Sequence, residues 1–175
     1  MMIIDGLSLA FTSTSIPRFI PEYSSDEKNN LFAGICLILF GVGTIIGGYL
    51  SGYLPTKVGV VRAGKLTIIL FFLCCGYTYI PINYPSLAFG FIGGILWGIE
   101  LYYLEGWLLV ACSRCFNGDL ESFAIVKQFH SIFFISFQIF LMIVTEPNLN
   151  YVMLVLCLFG FPAYFFIMSL VEKRP

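Results

Sequence analysis

The chain has 175 residues, of which 59% are hydrophobic and 11% charged, with a formal net charge of −1. With a mean hydropathy of +0.92, this composition excludes a water-soluble globular domain and a disordered segment alike. Near-neutral charge, with no basic stripe carrying interleaved aromatics, excludes a nucleic-acid partner.

Six apolar stretches fill almost the whole chain, at about 2–20, 31–54, 64–80, 85–111, 123–145 and 151–171. An apolar helix of about 20 residues covers the roughly 30 Å hydrocarbon layer, so the expectation is an all-α, polytopic membrane protein forming a single six-helix domain. The first stretch lacks a basic leader, and Pro17-Arg18 stands where a cleavage site would need small residues, so it reads as a retained span. Met1-Met2 lies directly against it, which fits the C-terminal piece of a longer protein.

The second stretch carries Gly43, Gly47 and Ser51 at spacing four and, one register over, Thr44, Gly48 and Gly52. Small residues at this spacing let two helix backbones approach closely in lipid. A basic connection over 55–63 follows, then the third and shortest stretch, with Pro81 and Pro85 bracketing a tight turn. The fourth repeats the small-residue pattern at Gly90, Gly94 and Gly98. Pro162 predicts a kink in the sixth. Tyr53, Tyr84 and Tyr151, at span ends, suit the interfacial belt.

Loop charge predicts sidedness. With a cytoplasmic N-terminus, the inner segments hold Lys57, Arg62, Lys65, Arg114, Lys173 and Arg174, and the outer ones only Arg18 and Lys28. That asymmetry satisfies the positive-inside rule and puts both termini in the cytoplasm.

Ionisable groups inside the bilayer are costly and mark function by default. Glu100 leads the candidates, near the middle of the fourth stretch, with Tyr103 and Trp107 on its face at offsets of three and seven. Glu105 projects elsewhere, at a depth that Lys127 and His130 of the fifth stretch would share. Two readings stay open for this set. Glu100 and His130 could line a cavity that binds a cation or relays protons, or a Glu105–Lys127 or Glu105–His130 pair could fix how two helices dock. Cys112-Ser113-Arg114-Cys115 is a lone C-x-x-C with no second ligand pair, so no metal is expected, and no cofactor either. A catalytic triad, a phosphate loop and paired carboxylates outside the membrane are all missing from the sequence, so the expectation is not an enzyme.

The connection Gly52-Tyr53-Leu54-Pro55-Thr56-Lys57-Val58-Gly59, followed by Arg62 and Lys65, resembles the cytoplasmic loop signature of the major facilitator superfamily. Gly6-Leu7-Ser8-Leu9-Ala10-Phe11 resembles the opening helix of the C-terminal half of its Unc-ninety-three-like family. Leu39-Phe40-Gly41-Val42-Gly43 with Gly47-Gly48 resembles the next helix of that half, and Glu121-Ser122-Phe123-Ala124-Ile125-Val126-Lys127 its eleventh. Leu96-Trp97 with Tyr103-Leu104 is similar to a stretch of the N-terminal half. The resemblance implies one six-helix half of a facilitator bundle, in a family of ion-channel regulators and transporter-like proteins. The chain departs from the pattern at Thr56, where the signature has an acidic residue, and at Leu104-Glu105-Gly106, where family members carry Asn-Thr-Gln. One half lacks the midplane site between two halves that alternating access uses. The implied partners beyond the lipid bilayer are therefore a second six-helix half, another copy, or a larger membrane complex. The alternative is a non-transporting subunit that stabilises such a complex.

Overall fold

The computed structural model describes residues 6, 8–12, 26–116 and 120–143. Among them the only regular elements are α-helices: α1 (Asp26–Val58), α2 (Val60–Asn83), α3 (Leu87–Cys115) and α4 (Leu120–Ile143). All four are long and apolar enough to cross a membrane, so the described part is an all-helical membrane protein. Residues 8–12 are also helical. The expected sixth stretch, with Tyr151 and Pro162, and most of the first lie outside the described residues.

The helices extend past their apolar stretches at six of the eight ends. Helix α1 starts at Asp26 and runs 33 residues, about 50 Å at 1.5 Å per residue. It therefore exceeds the hydrocarbon layer, and its first turns carry Asp26, Glu27 and Lys28. Its other end corrects the reading of 55–63 as a connection. Gly52, Thr56 and Lys57 are helical in α1, Arg62 and Lys65 are helical in α2, and only Gly59 lies outside both.

Pro55 lies inside α1, where its missing N–H removes one backbone bond, and only three helical residues follow it, so little of the helix lies beyond the disturbance. Its carbonyl still accepts from Gly59 N at 3.1 Å, and Gly59 O accepts from Ala63 N at 3.0 Å, carrying the ladder across the break. Gly59 makes the turn at φ 87° and ψ 151°, a region essentially restricted to glycine.

At the opposite end, Tyr84, Pro85 and Ser86 form the turn, while Pro81 lies inside the last turns of α2. The carbonyls freed there are taken up locally. Asn83 Nδ2 donates to Tyr79 O at 2.8 Å, and Tyr84 N donates to Ile80 O at 2.8 Å. Ser86 then caps α3, its Oγ accepting from Phe89 N at 3.2 Å.

Helix α1 packs most extensively along α3, α2 packs against α3 next, and α4 meets α3 least. The α1–α3 seam is backbone on backbone. A Cβ placed on Gly98 would lie 3.0 Å from both Gly43 Cα and Thr44 N and well inside contact distance of Phe40 O. One on Gly94 would lie 2.9 Å from Cys36 O. Cβ atoms on Gly43 and Gly47 would collide with Ile95 O and Ile99 O, and one on Gly106 with Ser51 Oγ. Contacts advance in the same direction along both helices, so α1 and α3 run parallel and the short turns place α2 antiparallel to both. Gly90 is buried near the start of α3. Gly48 and Gly52 are exposed, with open space where a Cβ would stand. Of the two small-residue registers on α1, the one through Gly43, Gly47 and Ser51 therefore forms the seam, and Gly48 is not a packing residue among the described ones.

Indole, phenol and hydroxyl hydrogen bonds join α2 to α3. From the Gly59 end, Trp107 Nε1 donates to Val60 O at 2.8 Å and Tyr103 OH to Ala63 O at 2.9 Å. Farther along, Trp97 Nε1 donates to Thr78 Oγ1 at 2.8 Å, and Thr78 donates on to Cys74 O at 2.7 Å. Tyr77 OH closes the series on Phe89 O at 2.9 Å. Two apolar clusters fill the space between these bonds, one around Trp97 with Phe11, Cys36, Phe71 and Cys74, the other around Trp107 with Val60, Ala63 and Leu104.

Candidate functional site

Glu100 lies near the midpoint of the 29-residue α3 and is 0% exposed. Helical periodicity fixes that face. Trp97, Glu100, Leu101, Tyr103, Leu104 and Trp107 recur at three and four residues, and all six are buried. Glu100 shares the α2–α3 interior with Cys74, close enough to interact electrostatically. The Cys74 thiol donates to Leu96 O at 3.5 Å. The remaining buried polar side chains among the described residues are hydroxyls: Ser8, Thr12, Ser51, Thr67 and Thr78.

Most of those hydroxyls are satisfied within their own helix. Thr12 Oγ1 donates to Leu9 O at 3.0 Å, Ser51 Oγ to Gly48 O at 2.8 Å and Thr67 Oγ1 to Ala63 O at 3.2 Å. Ser8 differs. Its hydroxyl is 0% exposed and has no hydrogen-bond partner among the described residues.

Five residues along α3, Glu105 points to another side, as the 100° step per residue requires. It forms an ion pair with Lys127 of α4, the side chains being 27% and 45% exposed. Glu100 and Glu105 therefore occupy separate environments, one sealed in the interior and one at the α3–α4 edge. His130 lies one turn beyond Lys127 on α4 and is half-buried. Its backbone carbonyl faces the N-terminal segment, 2.7 Å from where a Gly6 Cβ would stand. Gln138 is half-buried farther along α4.

Around Gly59, Lys57, Arg62 and Lys65 are all exposed. Lys57 Nζ stands 5.8 Å from the Tyr53 ring centroid, and Tyr53 stacks on Tyr49 at 5.9 Å. Cationic and aromatic groups are thus layered on the outer face of α1, the arrangement expected where a helix leaves the hydrocarbon for the headgroups. Cys112 is buried and Cys115 half-buried at the end of α3. Among the described residues no group of three or more His, Cys, Asp or Glu could hold a metal ion.

Sequence reasoning located Glu100 and the Tyr103–Trp107 face but missed Ser8, Thr78 and the bonds made by the two indoles. A usable signal was present. Both tryptophans of the chain, Trp97 and Trp107, fall on the Glu100 face, and a buried indole N–H requires an acceptor on the facing helix. Comparison with known proteins finds no matching family, no matching curated protein and no matching solved structure.

Proposed function

We propose that this chain is a six-helix half of a facilitator-type membrane protein, with both termini cytoplasmic. In this reading it serves as a transporter or channel regulator, working with a second half contributed by another copy or by a larger membrane complex. It is not an enzyme.

One observation carries the reading: the α1–α3 glycine seam, locked to α2 by indole and phenol hydrogen bonds. Mechanisms in which one bundle rocks against another require each bundle to move as a single body. Backbone contact across Gly43, Gly47, Gly94 and Gly98 gives that body its stiffness, because interlocked backbones have discrete packings rather than a continuum. The same rigidity suits a regulator that presents one shape to a channel. The resemblance of the 52–65 connection to the facilitator signature points the same way, although in this chain that signature is helical on both sides of Gly59.

Cross-linking in the membranes that express the protein, read by denaturing immunoblot, tests the proposal. The expected product is a discrete species of at least twice the 19.7 kDa chain mass. A lone 19.7 kDa band, under conditions that capture a control membrane dimer, refutes the half-bundle reading.

A further inference from the structure

We infer that Ser8 and Glu100 form a buried site for one monovalent alkali-metal cation. The inference stands whether or not a second half exists.

The placement follows from three contacts. The Phe11 and Trp97 rings lie 5.6 Å apart, so the N-terminal helical segment crosses α3 at that level. Gly6 lies against His130 O and Phe134 N of α4, and α4 is tied to α3 by the Lys127–Glu105 pair. Helices α3 and α4 are antiparallel, so residues 130–134 of α4 stand at the level of about 98–102 on α3. Moving from Phe11 back to Gly6 therefore means moving from Trp97 toward Glu100. Ser8 is one turn from Phe11 on the same face, and Glu100 is one turn from Trp97 on the same face. The register therefore places the two side chains at one depth, about 4.5 Å along the axis from the ring contact.

Both groups are 0% exposed. The Ser8 hydroxyl is unpaired among the described residues, and a buried hydroxyl without a partner is destabilising until something engages it. A cation at this level would engage it and the carboxylate together. Carboxylate and hydroxyl are hard oxygen ligands, the donor type that suits alkali and alkaline-earth ions rather than zinc or copper. One carboxylate balances a single positive charge. A divalent ion would need further acidic groups, and none cluster here among the described residues.

The test follows thermal unfolding of the purified full chain, by tryptophan fluorescence in lipid nanodiscs. Sodium or potassium chloride is titrated against choline chloride at fixed ionic strength and fixed pH. At least one of the two alkali cations should raise Tm saturably in the wild type. Ser8→Ala, nearly isosteric, should need roughly tenfold more of that cation for the same rise, the loss of one neutral oxygen contact. Glu100→Gln should abolish the response, and Gly48→Ala, on the open face of α1, should keep it. If Glu100→Gln does not fold, Ser8→Ala decides the matter alone. The inference is overturned by equal Tm in sodium, potassium and choline, or by an unchanged alkali-cation response in Ser8→Ala. A response to pH alone would mean a proton occupies the site, and overturns it equally.

Discussion

Replacing Gly98 by alanine probes the seam directly. The added methyl would meet Gly43 Cα and Thr44 N at 3.0 Å and Phe40 O closer still, whereas ordinary contact begins near 3.4 Å. All three obstacles are backbone, so no side chain can swing aside, and α1 and α3 must part by roughly 0.5–1 Å. A gap of that size forfeits about a quarter to a half of each dispersion well of about 0.1–0.2 kcal/mol. Over some tens of atom pairs this comes to about 1–3 kcal/mol, the usual cost of overpacking a close-packed interface. For a chain of 175 residues, each kcal/mol moves Tm by roughly 2–4 °C, so the variant should melt roughly 2–12 °C lower. A thiol-reactive dye gives the readout, because Cys36 is 0% exposed and its carbonyl lies on the same seam beside Gly94. Gly48→Ala is the matched control: a glycine of the seam's helix α1, with open space, where the methyl should stabilise by up to about 1 kcal/mol through helix propensity. If Gly98→Ala and Gly48→Ala melt together, the backbone seam does not hold these helices and the reasoning fails.

Trp107→Phe deletes the indole donor that reaches Val60 O at 2.8 Å and should cost about 1–3 kcal/mol, because a buried carbonyl loses its donor; denaturant unfolding in mixed micelles measures it. The Glu105–Lys127 pair is part-exposed and should contribute no more than about 1 kcal/mol. Lys127→Glu should destabilise docking of α4, and the double exchange with Glu105→Lys should restore it, whereas a swap that repairs nothing would show the pair is incidental. Gly59→Ala forces a side chain into φ 87° and should lower stability by about 1–3 kcal/mol; an unchanged Tm would mean the turn relaxes freely. A cysteine at Tyr84, 70% exposed in its turn, should label with an impermeant maleimide added on the non-cytoplasmic side of the membrane, and one at Thr56 should not. The reverse pattern would invert the proposed sidedness.

Hydropathy identified the four described spans because it depends on composition, and composition decides the solvent. It misplaced their ends for a physical reason. Backbone hydrogen bonding continues beyond the apolar run wherever the residues permit, so Asp26–Asn30 and Thr56–Lys57 are helical although they are not apolar. Pro55 reads as a helix stop, yet the helix continues for three residues beyond it, with one backbone bond lost at the proline. The small-residue pattern was legible as two candidate registers. Only the third dimension selects between them, since Gly47 and Gly48 are chemically identical and differ by 100° of rotation. At the candidate site, mid-span burial of Glu100 follows from its place among apolar neighbours at helical spacing. Ser8 was not legible, because a lone serine in an apolar stretch is ordinary. What distinguishes it is a crossing between segments nearly ninety residues apart.

The Gly59 turn has a practical consequence for handling the protein. Proteases bind their substrates as extended strands, and susceptible bonds concentrate at exposed loop tips. Lys57, Arg62 and Lys65 are exposed and by residue type are trypsin sites, yet each is held in a helix on one side or the other of a single residue. The α1–α2 hairpin should therefore resist limited digestion and remain one fragment, and its tip offers no length of chain in which to insert a tag or raise an antibody.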